Sequence, residues 1–194
     1  MRYTKDHKAN THERIVRTAA ALFRENGIEQ ISVPTLMARA GLTHGGFYAH
    51  FRSKDALVAE AIEKGLDETT DRLLAIAGHG DGLRSVIAAY LSRDHRDHPA
   101  RGCVLASLGS EVGRGGTPAR GALTSKLRRL VGALRGLVGG SRRGLSPQEQ
   151  ATGILATMVG AIVLARATDD EAYADEILLS CRRFLERSLT APAD

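Results

Sequence analysis

The chain has 194 residues, 43% of them apolar, enough to bury a substantial core in one large or two small domains, which excludes a disordered or fibrous protein. Its net charge of +5 lies wholly in the first 54 residues, which carry nine Lys/Arg against four Asp/Glu, while residues 55–194 carry eighteen of each. A basic end on a neutral body is the electrostatic footprint of a nucleic-acid binder, whereas a generally basic solvated surface would not concentrate its charge in this way.

The first helix is expected from about Thr11 to Asn26, with Asn10 and Glu13 spaced as a capping pair and Gly27 as the stop. Ile15, Ala19, Leu22 and Phe23 give it one apolar face. Ser32 is a natural N-cap for a second, short helix, and Pro34 falls in its first turn, where a missing N–H costs little. Gly41 supplies the left-handed residue that ends it, and Thr43 can cap the next, so the two helices cross instead of running on as one. Ser53 caps a fourth helix, KDALVAEAIEKGLDETTDRLLAIA, long enough to lead out of a domain of residues 1–54 into a second one of 55–194. A helix from about Leu83 to Arg96 ends before Pro99, and a shorter one follows in GCVLASLGSEV. Pro118 opens an Arg-rich helix to about Val138, broken by GGSRRG. Ser146-Pro147-Gln148-Glu149 starts a helix to about Ala167 that is apolar almost all round in its second half, and a last helix runs from about Glu171 to Leu189. No run alternates as a strand does, so the fold class is all-α.

Two crossing helices joined at Gly41 are the pattern of a helix-turn-helix reader of the DNA major groove. Within the second of them, Thr43 can bond a phosphate or touch a thymine methyl, His44 can reach a base edge, and Tyr48, His50 and Lys54 suit phosphates. The adjacent Gly45 and Gly46 cost about 2 kcal/mol of helix propensity relative to alanine, which points to close approach of the backbone to DNA. Ser32, Thr43, His44, Gly45, Gly46, Tyr48, His50 and Lys54 are therefore the candidate DNA-contacting residues. Phe47 and Phe51, four apart, read as core, and a packed neutral histidine is the alternative for His50.

The segment RIVRTAAALFRENGIEQISVPTLMARAGLTHGGFYAHFRSKDALVAEAI resembles the N-terminal domain of the tetracycline-repressor (TetR) family of bacterial regulators. The features in register are Ala-Leu-Phe with Gly27, Ser32, Ala-Gly-Leu-Thr at the turn, Phe47-Tyr48, His50-Phe51 and Ser53-Lys54. The family often carries a small hydroxyl or alanine where Gly46 stands, so the resemblance does not supply a base contact there. It implies a homodimer paired through the last two helices, an operator of double-stranded DNA, and a helical second domain that binds an effector and also dimerises. The motif RGCVLASLGSEV is similar to one in a subgroup resembling lincomycin-resistance repressors, where Gly102 and Cys103 open a helix bordering the ligand pocket. For a small hydrophobic or aromatic effector, Leu105, Leu108, Leu134, Met158 and Val159 are interior candidates, with Tyr90 and Thr157 as orienting hydrogen-bonders and Cys103 beside them.

Other chemistry is poorly served. His95 and His98 lie i, i+3 with Asp94 and Asp97, a spacing that could hold a metal, but a polar helix end before proline needs no ligand. Cys103 and Cys181 lack a CxxC spacing, so no zinc knuckle or disulfide framework is expected, and a small buried hydrophobe is the ordinary role beside a redox-sensing one for Cys103. Residues 55–194 show no catalytic constellation, so neither an enzyme nor a cofactor is expected. The start MRYTKDHKAN lacks a secretory signal, and Ile154–Ala165 is too short an apolar run for a bilayer, which predicts a cytoplasmic protein off the membrane.

Overall fold

A computed structural model describes residues 5–141 and 144–190, all helices and turns among them. Helix α1 spans Lys5–Asn26, six residues longer at its start than expected. Nothing in KDHKAN breaks a helix, and Asp6 in the first turn favours the positive end of its dipole, so Asn10 lies inside the helix and caps nothing. Gly27, at φ +85°, ends it. In α2 (Val33–Arg39) the Ser32 hydroxyl accepts the Thr35 N–H at 3.2 Å, and Gly41 turns the chain at φ +69°. Ile15, Ala19, Phe23, Leu36, Met37, Phe47, Phe51 and Leu57 close a small core between these helices and the start of α3 (Lys54–His79).

Helix α3 begins at a Ser53 cap, whose hydroxyl accepts the Ala56 N–H at 3.1 Å, packs on α1 with its first half and continues along the long helix α7 (Thr117–Leu137). Lys126 and Arg129 of α7 fasten it further through Asp67 and Asp71. The helix expected over 83–96 is two: α4 (Gly82–Tyr90) and α5 (Arg93–Asp97). At Leu91 ψ swings to 58°, and Ser92 caps anew, accepting the His95 N–H at 3.2 Å while donating to the Ala89 carbonyl at 2.8 Å. A short 3₁₀ turn over Pro99–Arg101 leads into α6 (Val104–Arg114).

Helix α8 (Pro147–Ala167) starts on a complete capping box: Ser146 Oγ accepts from Glu149 N–H and Glu149 Oε2 accepts from Ser146 N–H. At 21 residues the whole helix, longer than its apolar stretch alone, has the length and composition to cross a bilayer, but it packs along α7 and α9 (Glu171–Thr190) with Ala151, Ile154, Leu155, Met158, Ala161, Ile162 and Ala165 buried. Part of the GGSRRG break, residues 142–143, lies outside the described residues.

Candidate nucleic-acid interface and effector cavity

The segment expected to be a recognition helix is a six-residue 3₁₀ helix, His44–Ala49. Two consecutive glycines weaken α-helical propagation, and one short segment with a buried anchor can stay tightly wound instead. The anchor is Phe47, 1% exposed and stacked on Phe51 at 5.5 Å, so both aromatics are core as predicted. Tyr48 points the other way, 67% exposed, and Thr43, His44 and Gly45 are exposed beside it. Thr43 holds the N-cap position without a side-chain cap bond, contrary to the cap expected of it. Ser32 is committed to its cap and to Thr35 Oγ1 at 2.8 Å.

Two expected phosphate ligands also have neighbours within the fold. Lys54 donates to the Ile28 carbonyl at 2.7 Å and so ties the loop after α1 to the start of α3. His50 takes the packed alternative: its Nδ1 is buried without a partner, its ring lies 5.9 Å from His12, and burial first, then His12 and Lys8, lower its pKa. It is neutral at pH 7 and brings no charge to a phosphate. The exposed cations Arg39 and Arg52 flank the turn; only the charge count signalled them, since neither falls in the turn motif.

An alanine Cβ at Gly45 would meet nothing within 4 Å, and one at Gly46 would meet Met37 and Thr43 only at ordinary contact distance. The fold itself therefore demands neither glycine. Gly45→Ala is expected to stabilise the protein by about 0.4–1 kcal/mol in chemical denaturation while weakening DNA binding. Unchanged affinity for DNA would show that the glycine is not kept for backbone approach.

In the second domain a cavity of about 150 Å³ lies between α3, α4, α5 and the turn before α6. Thr69, Leu73, Tyr90 and Cys103 are buried around its floor, Ile76 and His95 form walls, and Arg72, Asp94, His98 and Arg101 stand exposed at its mouth. Tyr90 Oη is buried without a hydrogen-bond partner, and the neighbouring Cys103 thiol is too weak to satisfy it. Burial, reinforced by that thiol, raises the phenol's pKa well above its ordinary value, so it remains an O–H donor. His95 uses both ring nitrogens: Nδ1 is 2.7 Å from the Tyr90 carbonyl and Nε2 accepts the Cys103 N–H at 2.9 Å, which fixes the Nδ1–H tautomer. Its pKa is lowered to about 4, by burial above all. Arg166 of α8 locks the region, donating to the carbonyls of His95 (2.7 Å) and Arg96 (3.0 Å) and to Ser107 Oγ (3.1 Å).

Of the expected effector residues the cavity gathers Tyr90 and Cys103. Leu108, Leu134 and Met158 are closed core and Leu105 is partly buried away from the lining, because apolar spacing announces burial but not whether neighbours leave space. Thr157 donates to the Gly153 carbonyl at 2.9 Å and faces an outer groove of about 320 Å³ with Phe184. Part of the ionisable mouth, Asp94 and His98, was visible in SRDHRDHP, where the histidines read as a helix end; His98 Nδ1 lies 2.9 Å from the Asp94 backbone carbonyl and 3.2 Å from its carboxylate.

These features define a helix-turn-helix regulatory protein with a helical second domain around a small cavity. Residues 15–61 match the tetR family of bacterial regulatory proteins and residues 80–180 the tetracyclin repressor-like C-terminal domain, so the chain belongs to that family. Among curated relatives it is 31% identical over 88 residues to the HTH-type transcriptional regulator YfiR of Bacillus subtilis, covering 45% of this chain and 42% of that one. With the HTH-type transcriptional repressor KstR2 of Rhodococcus jostii it shares 27% over 105 residues, 54% of this chain and 52% of the other. The chain thus spans about half or less of the length of these relatives. Its fold matches reduced NemR of E. coli (TM-score 0.78, 23% identity, 95% of this chain and 100% of that one) and a TetR-family regulator of Cytophaga hutchinsonii (0.79, 20%, 99% and 100%).

Proposed function

We propose that the protein is a cytoplasmic transcriptional repressor that binds double-stranded operator DNA as a homodimer, through residues around His44–Ala49, and is released by a small effector in the cavity beside Tyr90 and Cys103. The observation that carries this reading is the span of α6. Cys103, at the cavity floor, immediately precedes α6, and Glu111 near its other end accepts the N–H groups of Ile28 and Glu29, both at 2.9 Å, in the loop that joins α1 to α2. Eleven residues of helix make a rod about 16 Å long from effector to DNA-binding domain. Arg24 of α1 adds a second tie, donating to the Ala100 carbonyl at 2.8 Å.

Contact at Gly65 of α3 is close as well: a Cβ there would lie 2.6 Å from Val104 and 2.8 Å from Arg24, so α1, α3 and α6 cannot move independently. An effector that displaces the start of α6 re-aims the helix-turn-helix. Two half-sites on successive major grooves lie about 34–36 Å apart or multiples of that, so a small change in the separation of paired readers lowers operator affinity.

The test is Glu111→Gln, which keeps shape but weakens a charge-assisted grip on two N–H groups. The variant is expected to bind operator and effector separately, while the effector's influence on operator affinity falls about fivefold or more. Full retention of that influence, measured by fluorescence anisotropy with and without effector, refutes the role given to α6.

A further inference from the structure

The chemistry facing the cavity is lopsided. On the donor side are the Tyr90 hydroxyl, 3% exposed and without a strong partner, and the guanidinium groups of Arg72 and Arg101 at the mouth. Arg72 spends one N–H on a neutral acceptor, the Arg101 carbonyl at 2.6 Å, and pairs with no carboxylate among the described residues. Acceptors are fewer. Asp94 Oδ1 receives Arg101 at 2.6 Å and lies 3.2 Å from His98 Nδ1, and His95 has no free ring nitrogen. The Thr69 hydroxyl donates to the Gly65 carbonyl at 2.8 Å, which leaves its oxygen as a neutral acceptor.

Charge leans the same way in the lining, where two arginines face one carboxylate; behind it the buried Arg24 has Glu68 at 3.7 Å and the half-buried Arg166 has Asp97 as counter-charges. A cationic guest would meet two guanidinium groups and a single carboxylate, one oxygen of which already receives Arg101. A pure hydrocarbon would leave the Tyr90 O–H unsatisfied. Leu73 and Ile76 still give the interior an apolar wall, and a volume of about 150 Å³ is that of a cavity holding one benzene-sized ring.

Building on the effector reading above, we propose that this cavity takes a small monoanion, a compact apolar body of single-ring size bearing one carboxylate or comparable oxyanion. The anion lies at the mouth against Arg72 and Arg101, and the buried Tyr90 hydroxyl donates to an acceptor on the guest. It adds one negative charge to the small hydrophobic or aromatic effector expected from sequence.

Three probes of one shape and different charge test it: benzoate, benzamide and benzamidine, titrated by calorimetry into the full-length protein at constant ionic strength. Benzoate is expected to bind about tenfold tighter than benzamide, with benzamidine weakest. Arg72→Gln and Arg101→Gln should each erode that preference. Tyr90→Phe should weaken benzoate without lowering the unfolding temperature, since the hydroxyl has no strong partner to lose, and Ala89→Trp at the mouth should block all binding.

The inference is overturned if benzamide or benzamidine binds as well as benzoate, if neither arginine variant changes benzoate affinity, or if none of the three binds. Should an uncharged ring bind in a manner blocked by Ala89→Trp and release operator DNA, the effector reading stands and the anion specificity falls. If benzoate binds with the expected arginine dependence but operator affinity does not change, the anion site stands and the switch falls.

Discussion

Replacing Leu164 and Phe184 together by arginine is expected to give a folded monomer whose operator affinity falls by about 10²-fold or more, as two linked half-site readers become one. These side chains are 58% and 65% exposed, and Tyr173, at 54%, joins them on the last two helices. On α8, Gly153, Thr157, Gly160 and Leu164 repeat at i, i+4, i+7 and i+11, a single stripe whose small residues allow another helix to come close. Tyr173, Ile177, Cys181, Phe184 and Ser188 make the matching stripe on α9. Apolar exposure concentrated on two neighbouring helices fits a subunit interface better than a solvated face. Ile154, Met158 and Ile162 of the same helix are 5%, 0% and 0% exposed within their own subunit, so arginine at Met158 would break the core and say nothing about assembly. Sedimentation equilibrium of the double variant beside the wild type, with circular dichroism to show retained helix, decides the matter. A variant that remains dimeric, or a wild type that is monomeric at micromolar concentration, rules this interface out.

The parts of the fold that announced themselves in sequence were those fixed by local chemistry. Ser32, Ser53 and Ser146 cap where they were expected to, and Gly27 and Gly41 take the left-handed backbone that ends their helices. Errors arose where contacts distant in sequence override local preference. The break at Leu91–Ser92 lies between residues that read as one amphipathic helix, and is held by the Ser92 cap and by His95 reaching Cys103. Nothing local in sequence showed that Lys54 would also reach the Ile28 carbonyl, 26 residues earlier. The cavity was the least legible feature. Periodicity marks Leu134 and Met158 as inward, but empty space depends on what the opposing helices fail to fill, and the donors that give it a chemical character, Arg72, Tyr90 and Arg101, come from three separate segments that only the fold brings together.

Between pH 7 and pH 5 the protein is expected to lose about 2 kcal/mol of stability through His95 alone. The folded-state pKa of His95 is about 4 against an ordinary 6.5, lowered by burial, with Arg166 and Arg72 acting in the same sense and the Tyr90 carbonyl and Asp94 opposing them. Below pH 6.5 the unfolded chain therefore takes up a proton that the folded chain refuses, so the stabilisation is complete above pH 6.5 and drains away as pH falls towards 4. The structural reason is the imidazole's acceptor nitrogen. Protonated Nε2 would point a hydrogen at the Cys103 N–H, turning a 2.9 Å bond into two opposed donors at the residue from which α6 starts. His50, also lowered, contributes with the same sign, whereas the lowered carboxyls Asp67 and Asp97 start from ordinary values below 4 and weigh little above pH 5. His95→Gln should accordingly be less stable at pH 7 and lose less on going to pH 5, as measured by urea unfolding at constant ionic strength. Equal losses in variant and wild type would remove His95 as the proton-linked group and with it the assignment of the neutral Nδ1–H tautomer as the holder of the cavity floor.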